Sequence, residues 1–305
     1  FAGVRFEGET PKLLKRTDLQ AWFTTHQAEG SALNANTLDR ALLLTDDLPG
    51  VSVAGTLAPG AHDGETVIVL QTTDEPLIYG DIGLDNTGAR ATGSNRLTAN
   101  LNINSPIGRG ELVNLNLMHT QGSDYGRVAL TTPYGYSGLR LGVNASAMTY
   151  KVIEGPGHNS AAQIRGSSNS LGLDMTYPLQ RERLFNLYVS GGLDIKSFLT
   201  QDTELRSDYA SNSLRLGLSG NRFDDWSGGG ANTASLQWYR GRLNSMKAHT
   251  LLDSIDRAYN KINYSFSRQQ NLMSDHSLLL SLQGKHATQV LDSSEKFYIG
   301  GASTV

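Results

Sequence analysis

The sequence predicts a mainly β protein: a transmembrane antiparallel β-barrel, incomplete in this chain, that follows a small α+β domain. Three observations lead to this fold class. After residue 75, about eleven segments alternate apolar and polar residues with a period of two, as membrane strands do. The charges inside the clearest segments lie on the polar phase. Before residue 75, helical and strand periods are mixed, so we place a domain boundary between residues 1–75 and residues 76–305.

The first 75 residues predict the order β-α-α-β-β, which is a small α+β arrangement. Two amphipathic helices are expected, one capped by Asp18 and one capped by Thr37, because apolar residues follow each cap at i, i+3, i+4 spacing. A Leu-Pro-Gly sequence ends the second helix, since proline cannot continue it. Short strands are expected over residues 4–6, 51–57 and 66–71.

The barrel segments place uncharged apolar residues on one phase and mostly Asn, Ser, Thr, Gly and Tyr on the other. Residues 97–104, Leu-Thr-Ala-Asn-Leu-Asn-Ile-Asn, show the pattern. A Lys or Arg on the lipid face costs about 2–4 kcal/mol at the bilayer midplane, whereas the wet face of a soluble sandwich usually carries Lys and Glu. The polar phase is therefore expected to line a watery lumen. The residues predicted to line it are Asn100, Asn102, Asn114, Asn116, Arg140, Asn144, Asp174, Asp194 and Arg215.

The connections between these segments alternate in length, as they do in membrane barrels. Tight turns are expected at residues 106–110 and 178–181, and long polar loops at residues 154–169, 200–212 and 242–259. Aromatic residues near the segment ends are typical of girdles at the two membrane boundaries. These residues are Tyr79, Tyr134, Tyr136, Tyr150, Tyr177, Phe198 and Trp226.

Composition excludes several function classes for this 305-residue chain. Its formal net charge of −3 argues against a nucleic-acid partner, and the absence of cysteine excludes thiolate metal sites. No phosphate-binding glycine loop, no hydrolase motif and no histidine pair at metal-binding spacing is present, so we expect no nucleotide, no cofactor, no metal and no enzyme activity. No run reaches the roughly 18 apolar residues that a transmembrane helix needs.

Several motifs, in order along the chain, resemble one family. Leu-Pro-Gly-Val at 48–51, with Pro59, Gly60 and Gly64, resembles a polypeptide-transport-associated (POTRA) domain. The runs at 86–93, 105–111, 133–140 and 177–181 resemble the first strands and turns of two-partner secretion transporters, the TpsB or haemolysin-activator type. The most specific run is Leu-Asp-Ser-Ser-Glu-Lys-Phe-Tyr-Ile-Gly-Gly at residues 291–301.

This resemblance implies a bacterial outer-membrane barrel of sixteen strands, in contact with outer-membrane lipid, with POTRA domains in the periplasm and a plug helix. It also implies secretion of a large partner exoprotein, an adhesin or a haemolysin-like protein. A first POTRA domain, the plug helix, the tip of a lumenal loop and the closing strands have no counterpart in this sequence. We therefore expect it to be a piece of a longer protein.

The strand expected at residues 51–57 is the candidate site for the exported polypeptide, with Val51, Val53, Gly55 and Leu57 as its proposed binding residues. An extended chain could add a strand at a free sheet edge. The alternative is that this strand only packs on the two helices. Two other functions stay open for the whole chain: a Bam-like factor that assembles outer-membrane proteins, and a passive porin.

Overall fold

The computed structural model describes residues 1–154, 164–202, 206–248, 257–273, 276–289, 291 and 295. Within these ranges the chain is mainly β, and it forms two sheets. In the described parts of the chain, no helix combines the length and the apolar character needed to cross a membrane as a helix.

The first sheet belongs to a small α+β unit, which we call the module (residues 1–75). Its strands are β1 (Gly3–Glu7), β2 (Val51–Pro59) and β3 (Thr66–Asp74), and its helices are α1 (Arg16–His26) and α2 (Ala35–Asp46). The strand order is β1-β3-β2, with β1 parallel and β2 antiparallel to β3. The predicted order of elements is therefore confirmed.

Both helices pack on one face of this sheet, because each carries an apolar stripe at helical spacing. The core that they share with the strands includes Leu19, Trp22, Phe23, Leu38, Ala41, Leu44, Val51, Val53, Ile68 and Leu70. The two helices cover one face of the sheet, so three strands are enough to complete the core of the module.

The predicted helix caps were wrong by a few residues. Asn34 caps α2, its side-chain oxygen accepting from the backbone N–H groups of Asn36 (3.0 Å) and Thr37 (3.4 Å). Asparagine is a preferred capping residue, and the apolar spacing that pointed to Thr37 did not show where the first turn begins. Lys15 precedes α1 without a side-chain cap, and Asp18 lies inside the first turn.

The second sheet has eleven strands, as the two-residue period predicted, and each strand pairs antiparallel with the next along the chain. The strands are β4 (Ile78–Asp85), β5 (Arg96–Asn104), β6 (Leu112–His119), β7 (Ser123–Pro133), β8 (Arg140–Lys151), β9 (Arg165–Arg181), β10 (Phe185–Gln201), β11 (Arg206–Asp224), β12 (Gly230–Ala248), β13 (Arg257–Met273) and β14 (His276–Ala287). Among the described residues, β4 and β14 each pair on one side only.

The polar phase lies on the concave side of this sheet. On that side Glu295 contacts both Lys196 of β10 and Lys261 of β13, although these strands are three positions apart. The apolar phase lies on the convex side, where Leu173 is 54% exposed and Ile195 is 57% exposed.

The strands from β9 onward are longer than expected, so the predicted loops are shorter. β10 continues to Gln201 and β11 starts at Arg206, which places most of the expected loop at residues 200–212 inside strands. Likewise, the turn expected at residues 178–181 is the end of β9, and the chain reverses at residues 182–184. Polar residues on both faces hid these strand ends, because the period of two is visible only where one face is apolar.

The predicted aromatic girdles were partly wrong. Tyr150 lies on the lumenal phase, where its hydroxyl is 3.2 Å from that of Thr200. Phe198 also faces the lumen and stacks on Tyr209 at 4.9 Å. Tyr136 packs against the module instead. An aromatic side chain near a strand end has several ways to bury its ring, and strand position alone does not choose among them.

Candidate functional site

We call the concave, polar face of the large sheet the lumenal face. At its N-terminal edge, amide side chains of β5 and β6 form a ladder next to β4. Asn102 accepts a hydrogen bond from Asn114 (2.7 Å), and Asn100 accepts one from Asn116 (2.8 Å). Asn100 in turn donates to Asp81 of β4 (3.0 Å). These pairs are direct cross-strand neighbours. Four of the five predicted lumenal asparagines are therefore paired with each other, and they form a hydrogen-bonding wall beside Asp81.

A charged cluster occupies the lumenal face of β8 to β11. Asn144 donates to Asp174 (2.6 Å), and Arg215 forms an ion pair with the same carboxylate. Asp194 faces this cluster, since its Oδ1 would lie 2.9 Å from a Cβ added at Gly172. Four predicted lumenal residues are thus brought together.

Gly192 makes the ion pair possible, and sequence reasoning missed it. Arg215 is on β11 and Asp174 is on β9, so the guanidinium must cross β10 at Gly192, which pairs with both residues. A Cβ there would lie 2.6 Å from Nη2 of Arg215. The sequence did contain a signal for this crossing: Gly192 lies on the polar phase of β10, and the neighbouring strands carry Asp174 and Arg215 on the same phase.

Arg140, the remaining predicted lumenal residue, lies apart from both groups. It starts β8, and its Nη2 donates to the carbonyl of Gly110 (3.1 Å) in the β5–β6 turn. Its position is at the end of the sheet that carries the module.

A group of three lysines around the buried Glu295 was also missed. Glu295 is 3% exposed, and its carboxylate pairs with Lys196 (3.4 Å) and with Lys261. Lys285 donates to its backbone carbonyl (2.6 Å). Of the motif at residues 291–301, only Leu291 and Glu295 lie within the described residues.

The module sits against the turns at one end of the large sheet. Arg181 binds Asp47 through two hydrogen bonds, Nε to Oδ2 and Nη2 to Oδ1, each 2.8 Å. Arg183 donates to Asp39 (2.8 Å), and this contact raises the pKa of Arg183. Two acidic residues, Asp39 in α2 and Asp47 just after it, therefore face the arginines at the end of β9 and in the turn that follows.

A second contact joins α1 to the β7–β8 turn. The ring of Trp22 meets that of Tyr136 edge-on at 5.8 Å. Nε2 of His26 is 3.1 Å from the carbonyl oxygen of Tyr136. Burial lowers the pKa of His26, and the nearby positive charge of Arg40 lowers it further. The hydrogen bond to the Tyr136 carbonyl acts in the opposite direction and raises the pKa, but its effect is smaller than that of burial.

The strand β2 lies at an edge of the module sheet, as predicted, and it also packs on the helices. Val51 and Val53 are buried in the core, so their side chains are not available to a bound chain. Leu57 is 56% exposed. The two alternatives considered for this strand are thus not exclusive: its side chains serve the core on one face, and its backbone has a free edge.

The free edge presents the backbone groups of the odd-numbered residues. Gly50 accepts from Glu75 (3.2 Å), and Gly60 donates to Glu65 (2.9 Å), so the even-numbered residues between them bond to β3 and the odd-numbered ones point away. One free-edge donor is already used, because Val53 N–H donates to Oδ1 of Asp46 (2.7 Å). The open stretch runs from Gly55 to Leu57.

These surfaces offer hydrogen bonds and balanced charges to a polypeptide. In the described ranges, no group of three or more acidic or histidine side chains is placed to hold a metal ion. The lumenal face offers amides and balanced charges. The module offers an open strand edge beside the wall.

Comparisons with known proteins place the chain among relatives. It matches the family described as "Haemolysin secretion/activation protein ShlB/FhaC/HecB" over residues 64–305. Heme/hemopexin transporter protein HuxB of Haemophilus influenzae is 26% identical over 280 residues, which cover 88% of this chain and 48% of that protein. Outer membrane transporter CdiB of Dickeya dadantii (strain 3937) is 23% identical over 292 residues, covering 91% and 51%. The chain thus spans about half the length of the curated relatives it matches.

Solved structures show the same fold. CdiB from Escherichia coli superposes with a TM-score of 0.81 at 20% identity, over 100% of this chain and 57% of that one. BamA from Haemophilus ducreyi gives a TM-score of 0.54 at 17% identity, over 94% and 54%. Because the family match covers most of its length, the chain belongs to the ShlB/FhaC/HecB family of haemolysin secretion/activation proteins.

Proposed function

We propose that the whole protein is an outer-membrane pore, without enzyme activity, that secretes a large partner exoprotein in two-partner secretion. In this proposal residues 1–75 are a periplasmic POTRA domain. Residues 76–305 are part of a sixteen-stranded barrel in contact with outer-membrane lipid. One observation carries the proposal. The free strand edge of the module and the polar concave wall of the large sheet are held together by the Arg181–Asp47 contact.

The lumenal face suits the passage of an unfolded polypeptide. A moving chain carries peptide groups and side chains of every type, so a wall that bound one of them tightly would stop it. The asparagine pairs of β5 and β6 already satisfy one another, and Arg215 is neutralised by Asp174. Such a wall hydrates a chain without holding it.

Initial capture is assigned to the free edge of β2. An extended segment of the exoprotein would add a strand there through backbone hydrogen bonds. Val51 and Val53 contribute by holding the strand on the core, while the peptide groups of Gly55 and Leu57 contact the added strand. Side-chain selectivity would come from the exposed residue Thr56 on the opposite face.

A proline at the free edge tests this role. Leu57→Pro removes an edge N–H without breaking a bond to β3, because edge strands accept proline where the N–H faces solvent. Leu57→Ala is the matched control, since it shortens the side chain and keeps the N–H. In full-length protein co-expressed with its partner exoprotein, we expect Leu57→Pro to abolish export into the medium and Leu57→Ala to retain it.

Deletion of residues 1–74 is the coarser test and should also stop export. Both variants must first show normal membrane insertion, measured as a heat-dependent change in gel mobility. If the correctly inserted Leu57→Pro protein exports at the normal rate, the edge is not the capture site. If the deletion exports normally, the module has no part in recognition.

A further inference from the structure

The convex face carries a row of cations at the end of the sheet far from the module. Lys151 ends β8, Arg165 starts β9, Gln201 ends β10 and Arg206 starts β11. These four residues are consecutive cross-strand partners, Lys151 with Arg165, Arg165 with Gln201, and Gln201 with Arg206. We call them the cationic row. It spans four adjacent strands.

The cationic row points away from the lumen. Lys151 lies on the same phase as Leu141 and Val143, and Arg165 on the same phase as Leu171 and Leu173. All four of these leucine and valine side chains are exposed on the convex face. Lys151, Arg165 and Arg206 are exposed as well. The row therefore continues the apolar band toward the end of the sheet.

This arrangement is unfavourable unless an anion is present. Two like charges directly opposite each other on neighbouring strands destabilise a sheet, and Lys151 and Arg165 are such a pair. In the described part of the chain, no carboxylate forms an ion pair with either of them. Two acids of the neighbouring strands have partners: Asp124 pairs with His119 (2.6 Å), and Asp208 pairs with Arg206 of the row itself (3.8 Å).

The row also has a shaped surface. Lys151, Arg165 and Gln201 line a depression of about 530 Å³ together with Thr149 and Ser167. Nη2 of Arg165 donates to Oε1 of Gln201 (3.3 Å), which orients the guanidinium across the strands. A planar guanidinium held in this way can bind a phosphate through two parallel hydrogen bonds.

The height of the row matches a lipid headgroup. Lys151 lies four residues beyond Ala147, about 13 Å along a strand. Barrel strands tilt by about 35–45°, so the ammonium group lies roughly 10 Å above the upper end of the apolar band. Acyl chains would cover Leu171 and Leu173 while the phosphates of the same molecule meet Lys151 and Arg165.

We propose that the cationic row binds the phosphorylated headgroup of an outer-leaflet glycolipid. This inference rests on the proposed function, because the end opposite the module faces the cell exterior only if the module is periplasmic. The site would anchor the barrel wall at β8 to β11 and would fix its height in the membrane.

The test uses full-length protein purified in a non-ionic detergent and three probes: bisphosphorylated lipid A, dephosphorylated lipid A and inorganic phosphate. Binding is measured by native mass spectrometry. Lys151→Gln/Arg165→Gln is the variant. Arg222→Gln is the matched control, since Arg222 is exposed on the same face at the opposite end of β11.

We expect bisphosphorylated lipid A to bind the double variant about 30-fold more weakly, at roughly a factor of five for each cation. The Arg222→Gln protein should bind it normally, and the dephosphorylated lipid should bind all three proteins weakly. Equal affinity of the double variant and the unmodified protein would overturn the proposal. So would equal binding of the dephosphorylated lipid, or occupancy of the site by inorganic phosphate as tight as that by lipid A.

Export assays separate this inference from the proposed function. The double variant leaves the lumen and β2 unchanged, so loss of lipid binding with continued export would show that the two are independent. A protein that binds lipid A at the row but exports nothing would contradict the transport proposal and leave the lipid site standing.

Discussion

Asp47 and Arg181 form a two-hydrogen-bond ion pair that joins α2 of the module to the β9–β10 turn, with both N–O distances at 2.8 Å. The same guanidinium also donates from Nη1 to Asn186 (3.0 Å). Because Arg181 is fixed on both sides, it sets the orientation of the module against this end of the large sheet. The free edge of β2 is carried with it.

Replacing Asp47 should weaken this docking. Asp47→Ala leaves the largely buried guanidinium of Arg181 without its carboxylate, and we expect a loss of about 1–2 kcal/mol, reduced from a fully buried pair because Asp47 is partly exposed. Thermal unfolding of the full-length protein would measure this loss. We also expect proteases to cut the Asp47→Ala protein faster between the module and the barrel. Asp63→Ala, which removes an exposed acid in the β2–β3 turn, is the control. Equal unfolding temperatures for the two variants would contradict the docking role.

The sequence predicted what depends on local periodicity. Eleven strands alternate because one face is apolar, and the spacing of Leu19, Trp22 and Phe23 predicted α1. The Asp47–Arg181 pair could not be predicted, since 134 residues separate its partners and the sequence offers many other acids and arginines. Similarly, the asparagines of β5 and β6 were found as a polar phase, but their pairing depends on the strand register.

Gly192 should be required for the Arg215–Asp174 ion pair. Gly192→Ala places a Cβ 2.6 Å from Nη2 of Arg215, so the guanidinium must move away from Asp174. We expect the barrel to lose about 1–3 kcal/mol of stability, the cost of a half-buried charged hydrogen bond. Gly191→Ala is the matched control, because its nearest neighbour, Cε of Met175, would be at 3.5 Å. The temperature at which gel mobility changes would measure the stability of both variants. A lower temperature for Gly191→Ala than for Gly192→Ala would refute the requirement for glycine at position 192.

His26 should make the module sensitive to acid. Burial and Arg40 lower its pKa from 6.5 in the folded state, whereas the unfolded chain keeps the ordinary value. Below 6.5 the unfolded state therefore binds more protons, and stability decreases as pH falls from 6.5 toward the folded-state value. Above 6.5 both states are neutral and His26 adds no pH dependence.

Calorimetry of the full-length protein between pH 7.5 and pH 5.5 would test this prediction, the two values being chosen about one unit on either side of the ordinary histidine pKa. The His26→Gln protein keeps a donor for the Tyr136 carbonyl and cannot be protonated. We expect its module to lose less melting temperature on acidification than the unmodified protein does. Parallel losses in both proteins would assign the pH dependence to other groups.

Glu295 should hold Lys196 and Lys261 together on the concave face of the large sheet. Its carboxylate is buried between Lys196 and Lys261, and Lys261 is itself only 6% exposed. Glu295→Gln removes the counter-charge of the buried Lys261 ammonium, and breaking one partner of a buried pair costs about 3–5 kcal/mol. Residue 295 should then leave the two lysines, and the conductance of full-length protein in a planar bilayer should rise and fluctuate. Lys261→Met/Glu295→Met removes both charges, so it should restore stability in part without restoring the unmodified conductance. If Glu295→Gln conducts and unfolds like the unmodified protein, the lysine group has no role in holding residue 295.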